Sequence, residues 1–281
     1  MSQFYALLVN GQIRQIDLAE EIVESTRSLF VNAAADLMDD DTESIAFDGR
    51  YIIRDGENEI SYITMDLPPE FNDIPDNQQG ITTLDIENDD IKSIFWYHDG
   101  AFLFQMFSSG NLLENKYVVR FLQEQHNFNR FTENAFIINN KIQAIYKNGN
   151  LYFKSFPSAS KIFNLRTNMV AATEAEVTDF GNKENIDINL DWLRAHANAK
   201  TRRLIKMVTE SGTLDTYMSL GRRRREKLAE SVNVEISIVD DRLVLPSNVG
   251  KVNRILEFLN EDVYKGLISS NIFRTNSKRP G

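Results

Sequence analysis

Short apolar runs separated by two-residue turn signals constrain the fold of this chain most strongly. Asp48–Gly49, Asp55–Gly56, Asp99–Gly100 and, later, Asn148–Gly149 lie between runs in which apolar and polar residues alternate. Alternation with a period of two is typical of strands, and Asp-Gly or Asn-Gly turns join antiparallel neighbours. We therefore predict a first strand at 4–9, antiparallel strands over 44–65 and at 81–86, 91–97 and 101–107, and a hairpin over 135–156.

Helical spacing appears in three places in the first two-thirds of the chain. Apolar residues three or four apart predict a helix over 17–38, with Asp17 as its N-cap. Residues 116–126 are also predicted to be helical. Thr173 is followed three residues later by Glu176, which is the pattern of a capping box at the start of a short helix over 173–180.

The last third of the chain has mainly helical spacing. We predict helices over 190–211, 214–220, 222–232 and 249–259, and one hairpin, VEISIV–DD–RLVLP. The predicted class is α+β, with antiparallel sheets and flanking helices in the N-terminal two-thirds and a mainly helical C-terminal third. The polar segment GNKENIDIN separates a predicted domain at 1–188 from a basic C-terminal region at 189–281.

Charge is distributed unevenly along the chain. Residues 1–100 carry 5 Lys and Arg against 22 Asp and Glu, whereas residues 192–281 carry 17 against 10. The overall net charge of −10 therefore conceals a basic C-terminal third. Such a region is the electrostatic precondition for binding a polyanion.

Composition excludes several classes of protein. The chain has no cysteine, so disulfides, thiolate metal sites and cysteine nucleophiles are excluded. It has no signal-peptide pattern, and no apolar run approaches the roughly 18 residues that a membrane span needs. We expect a soluble protein, with the cytoplasm as its compartment.

Three groups of cations in the last third are candidates for contacts with nucleic-acid phosphates. Four consecutive arginines at a helix start repel one another and oppose the helix dipole, unless an anion lies nearby. Contacts of this kind bind DNA without regard to sequence. The alternative is that the cations pair with the acidic region of this chain or of another subunit. The candidate residues are Arg202, Arg203, Lys206, Arg222, Arg223, Arg224, Arg225, Lys227, Arg274, Lys278 and Arg279.

Catalytic motifs are nearly absent from the sequence. The three histidines are isolated, no nucleophile motif or phosphate-binding glycine loop occurs, and we expect neither a metal nor a cofactor. One weak pattern remains: Asp99, Glu114 and Lys116 have the spacing of a magnesium nuclease, in which carboxylates hold the metal and a lysine steadies water. We therefore predict a protein that is not an enzyme, with a metal-dependent nuclease as one alternative and an interaction subunit that does not bind DNA as another.

Several segments, in order, resemble the KwaB-like family of the Kiwa anti-phage defence system. The resemblance covers roughly residues 90–281 and contains no catalytic signature. The segments are FQMFSSGNLLENK, NAFIINNKIQAIYKNGNLYFKSFPSASKIFNL, AATEAEVTDF and ILEFLNEDVYKGLISSNIFRTNSKRP.

This resemblance implies a bacterial defence protein of the cytoplasm that binds double-stranded DNA without sequence preference. It also implies a membrane-embedded KwaA-like partner, which would recruit the protein to the inner face of the membrane, and self-association as a homodimer. No catalytic residue is carried over from the family. The excess of acidic residues in 1–100 must then lie away from the duplex, because DNA is itself negatively charged.

Overall fold

The computed structural model describes residues 3–39, 42–50, 59–76, 80–112, 118–122, 127–131, 136–266 and 268–275. These residues form two compact units. The first comprises the described residues through Phe47 and those from Glu59 to Leu165. The second comprises Asp48 to Arg50 and the described residues from Arg166 onward.

The first unit is built mainly of strands. Its strands are β1 (Phe4–Leu8), β2 (Ile13–Gln15), β3 (Glu43–Ala46), β4 (Glu59–Thr64), β5 (Ile91–His98), β6 (Ala101–Met106), β7 (Val118–Leu122), β8 (Asn127–Phe131), β9 (Ala144–Lys147) and β10 (Asn150–Phe153). Its helices are α1 (Glu20–Leu37), α2 (Asp73–Asp76) and α3 (Phe156–Ile162).

Eight of these strands form one sheet in the order β2-β1-β5-β6-β9-β10-β4-β3. Each neighbouring pair is antiparallel except β3 and β4, which run parallel. The turns that the sequence predicts at Asp99–Gly100 and Asn148–Gly149 join β5 to β6 and β9 to β10, with positive φ at all four residues. Asp, Asn and Gly tolerate that conformation best, which is why these dipeptides mark hairpins.

Both faces of this sheet are buried. Phe4, Phe30 of α1 and Trp96 lie in one apolar cluster on the first face. The alternating residues of the same strands point the other way, where Phe95 and Phe104 pack with further aromatic rings. The α+β class and the antiparallel sheet with flanking helices are therefore confirmed.

Four local predictions in this unit are wrong. The first concerns α1, which begins at Glu20 with Ala19 as its N-cap, while the Asp17 carboxylate accepts a hydrogen bond from the Thr83 hydroxyl at 3.3 Å. A contact with a residue distant in sequence has displaced the expected cap. The second is the parallel pairing of β3 with β4, where we predicted antiparallel strands.

The third and fourth wrong predictions concern residues 81–86 and 116–126. Residues 81–86 contribute only an isolated bridge from Thr83 to Gln15, because the Asp85 carboxylate accepts from the Glu87 N–H and folds the chain into a turn. Val118–Leu122, predicted to be helical, is β7 and pairs with β8. A β-branched Val-Val pair favours that extended state. The Asp55–Gly56 signal lies outside the described residues.

The second unit is mainly helical. Its helices are α4 (Glu174–Gly181), α5 (Leu190–His196), α6 (Ala199–Ser211), α7 (Thr213–Ser219), α8 (Arg222–Ser231) and α9 (Val249–Leu259). Its strands are β11 (Ile186–Asp187), β12 (Ser237–Val239), β13 (Arg242–Val244), β14 (Val263–Lys265) and β15 (Ile272–Arg274).

One apolar core holds the second unit together. Val177 of α4, Ile205 of α6, Leu243 of β13 and Leu256 of α9 are fully buried in it. The polar segment 181–189 supplies β11, which pairs in parallel with β13, while β12 pairs with the other edge of β13. The division into a domain at 1–188 and a basic region at 189–281 stays a prediction. Over the described residues, no helix is both long and apolar enough to cross a membrane.

Candidate nucleic-acid interface

The arginine run at 222–225 forms the first turn of α8. Gly221 is the N-cap and offers no side-chain acceptor to the first backbone N–H groups. By contrast, Asn198 of α6 and Asn248 of α9 each accept a backbone N–H at 3.0 Å. The start of α8 therefore has a positive helix dipole, several cationic side chains and no capping side chain.

The arginines of this run have different environments, because they lie at different positions around the helix. Arg225 is buried at 5 % exposure and donates to Asp241 at 3.1 Å and to the Met218 carbonyl at 3.3 Å. Arg222 is exposed and pairs with Glu226, one turn later, at 2.9 Å. Neither side chain is an unpaired cation, and the buried Arg225 is not part of the exposed cationic face of α8.

Arg223, Arg224 and Lys227 occupy the outward face of α8. All three are exposed, opposite the buried Arg225 and Ala229. Within the described part of the chain, none of them makes an ion pair or a side-chain hydrogen bond. We call these three residues the α8 triad. Lys227 follows Arg223 by four residues and Arg224 by three, and these spacings bring side chains together on a helix, so the triad is one local concentration of positive charge.

The predicted cations Arg202, Arg203 and Lys206 stand on α6, and we call them the cationic stripe. Arg202 and Lys206 contact acids of α4. Arg202 donates to a Glu174 carboxylate oxygen at 2.6 Å and to the Ala172 carbonyl at 3.3 Å. Lys206 donates to Glu176 and lies 3.6 Å from Glu210. Ion pairs within this unit therefore offset much of the charge of the stripe.

These pairs change the titration of the α4 carboxyls. The hydrogen bond from Lys206, helped by the Thr173 backbone N–H, lowers the pKa of Glu176 from 4.5 to about 2. The hydrogen bonds from Arg202 and then Arg194 lower the pKa of Glu174. Arg203, the third member of the predicted stripe, is half-buried.

The C-terminal group is only partly described. Arg274 of β15 is exposed and lies 3.9 Å from Glu257, a largely buried carboxylate that Lys200 also contacts at 2.6 Å. Lys278 and Arg279 lie outside the described residues. Arg274 is therefore the one member of this group whose position can be compared with the α8 triad.

The nuclease pattern is not assembled by the described residues. Asp99 is an exposed turn residue 3.2 Å from His98, and Glu114 and Lys116 lie outside the described part. Among the described residues, no group of three or more His, Cys, Asp or Glu side chains could hold a metal ion.

The sequence identified the cations but missed their partners. Glu174 and Glu176 are 28 and 30 residues before Arg202 and Lys206, beyond the range of any helical spacing rule. One signal was available. The capping box of Thr173 and Glu176, which the structure confirms, fixed the start of α4 and so the side on which both carboxylates lie.

The fold is of the α+β class, with a basic helix exposed on its second unit. A family model described as "Kiwa protein KwaB-like" matches residues 95–269, which is more than half of the chain and includes all of α8. The chain belongs to the KwaB-like family, and it is thereby a component of the Kiwa anti-phage defence system. Searches of the curated proteins and of the solved structures gave no significant match.

Proposed function

We propose that this chain is a sequence-independent DNA-binding effector subunit of the Kiwa system. The supporting observation is the α8 triad, a group of three exposed cations without acidic partners among the described residues. Family membership supports the role in defence. In this proposal the protein acts in the cytoplasm as a homodimer, beside a membrane-embedded KwaA-like partner.

The triad suits a phosphate backbone for two reasons. Its charges stand on the first two turns of α8, where the helix dipole adds positive potential and the cap leaves backbone N–H groups for an anion. Its side chains are long and flexible, which suits contacts with DNA phosphates better than recognition of base edges. We therefore expect affinity without sequence preference.

The other predicted cations take lesser roles in this proposal. Arg202 and Lys206 are already paired with acids of α4, and Arg225 is buried. Arg203, Arg222, Arg274, Lys278 and Arg279 extend the interface where the duplex reaches them. The triad supplies three phosphate contacts, so the logarithm of the binding constant should fall with the logarithm of salt with a slope of about −3.

The test is duplex binding by the full chain across a salt series. Fluorescence anisotropy with a labelled 30-base-pair duplex of random sequence should show binding at about 50 mM salt that weakens by roughly 40-fold to 60-fold by about 200 mM, as a slope of about −3 requires. The triple variant Arg223→Ala, Arg224→Ala, Lys227→Ala should lose most of this affinity on every sequence and flatten the salt slope.

The matched control removes three exposed lysines of the first unit, Lys141, Lys147 and Lys161, by substitution with alanine. This variant loses the same net charge as the triad variant and should bind nearly as tightly as the wild type. No binding at low salt, or equal losses in the two triple variants, would contradict the proposal.

A further inference from the structure

A cleft of about 1400 Å³ lies within the second unit, between α8, the chain leading into β12, and α9. Its apolar lining includes Ala229, Val234, Ile236, Ile238 and Ile255. Arg225 and Ala229 of α8 line it, so the side of α8 opposite the triad faces a cavity.

The buried guanidinium of Arg225 is only partly satisfied. Its Nη2 donates to Asp241 Oδ1 at 3.1 Å, whereas its Nε is buried and has no hydrogen-bond partner among the described atoms. The Nε and Nη2 groups together form the side-on fork that binds a carboxylate through two parallel hydrogen bonds. Asp241, which stands on the hairpin turn and is 90 % exposed, uses only one of them.

Two residues of an edge strand, Ser237 and Ile238 of β12, also line the cleft. β12 is the outer strand of the order β11-β13-β12. The two-residue turn places Val239 opposite Arg242 as a hydrogen-bonded pair, so the N–H and C=O of Ile238 point away from β13. Because Ile238 lines the cleft, an extended chain lying there can pair with this edge.

Charge decides what kind of ligand fits. Beyond the Arg225–Asp241 pair, the lining has four acids (Glu226, Glu230, Glu235 and Asp240) against three bases (Arg222, Lys251 and Arg254). The resulting net charge of −1 disfavours a phosphate dianion. Arg222 already pairs with Glu226, and Lys251 with Glu235, so a peptide that brings one carboxylate to Arg225 and a basic side chain to Glu230 matches the charges at both places.

We propose that this cleft binds the carboxyl-terminal segment of a partner protein in extended conformation. The terminal carboxylate replaces Asp241 on the Nε and Nη2 groups of Arg225. The peptide backbone pairs with Ile238, and a Lys or Arg side chain of the peptide contacts Glu230 of α8. In the free chain, Asp241 occupies the carboxylate position and competes with the peptide.

The probe is a degenerate octapeptide library with Lys at alternate positions and a free carboxyl terminus. Its binding to the full chain is compared with that of the same library amidated at the carboxyl terminus. The free-acid library should be retained, and the amidated one should bind about tenfold more weakly, because the charge-assisted pair with Arg225 is lost. In an amide-resolved NMR titration, the Ile238 signal should shift.

Substitutions at exposed positions test the proposal without disturbing the fold of the protein. Glu230→Lys should weaken binding of the free-acid library, whereas Asp241→Asn should strengthen it by removing the competing carboxylate. Asp179→Lys, an exposed acid of the same unit outside the cleft, is the matched control and should bind like the wild type. The triad variant should also bind the library normally, so failure of DNA binding leaves this result intact.

Three outcomes would overturn the proposal. One is that neither library binds, and another is that the two libraries bind equally well. The third is that inorganic pyrophosphate displaces the free-acid library from the cleft at lower concentration than an acetylated Lys-Val-Lys-Val peptide with a free carboxyl terminus.

Discussion

The guanidinium of Arg202 lies 2.6 Å from a carboxylate oxygen of Glu174, and this contact joins α6 to α4. Lys206, one turn further along α6, makes the equivalent contact with Glu176. The stripe that the sequence presents as a bare cationic face is thus a row of ion pairs inside the second unit. Counting charges by sequence position overstates the free positive charge of this region.

Removing the two α4 carboxylates should strengthen DNA binding. In the double variant Glu174→Gln, Glu176→Gln, Arg202 and Lys206 lose their acidic partners on α4, and the salt slope should become steeper by up to about 2. The anisotropy series in salt measures both affinity and slope. The control Asp179→Asn, Glu184→Gln removes two exposed acids of the same unit, and a gain as large in this control would mean that net charge alone is responsible.

Stability should fall in acid because of the same carboxyls. Since the pKa of Glu176 is lowered from 4.5 to about 2 by folding, its contribution is complete above about pH 4.5 and is lost as the pH falls toward 2. The lowered pKa of Glu174 acts in the same direction. Urea titrations at several pH values should show this decline in the free energy of unfolding.

The variant Glu176→Gln isolates that effect. Glutamine keeps an oxygen for the capping box with Thr173 but cannot titrate, so the decline between pH 4.5 and 2 should be shallower than in the wild type. Identical pH profiles for the variant and the wild type would show that the Lys206 pair contributes nothing measurable to stability.

The sequence predicted what local rules determine. The hairpin turns at Asp99–Gly100 and Asn148–Gly149 and the cap at Thr173 follow from backbone preferences within four residues. The errors had mixed causes: the distant residue Thr83 engages the residue expected to cap α1, whereas a local turn at Asp85 interrupts the strand predicted at 81–86, and β7 pairs with the nearby β8. Among the cations, the sequence located the arginine run at the start of α8, but only tertiary packing could show that Arg225 is buried and that Arg222 pairs with Glu226.

Arg225 and Asp241 should contribute unequally to stability although they form one ion pair. Replacing Arg225 by Ala removes a buried side chain and its bond to the Met218 carbonyl, which we expect to cost about 2–3 kcal/mol. Replacing the exposed Asp241 by Asn should cost less than about 1 kcal/mol, because solvent screens the pair. Urea titrations followed by circular dichroism provide both values, and equal losses would contradict this view of the pair.

Gly49 should tolerate no side chain, because it adopts a positive φ of 73° and packs tightly against the chain at Asn168. A Cβ there would lie 2.2 Å from the Asn168 carbonyl oxygen. The same stretch of chain is held close to Gly49 by the hydrogen bond that the Val170 N–H donates to the Gly49 carbonyl. Gly11 also has a positive φ, of 89°, but a Cβ there meets nothing within 4 Å. Gly11→Ala should therefore cost about 1–2 kcal/mol for the backbone conformation alone, and Gly49→Ala should cost at least about 1–3 kcal/mol more. Thermal unfolding of the two variants makes the comparison, and similar losses would mean that the chain near Asn168 moves away without penalty.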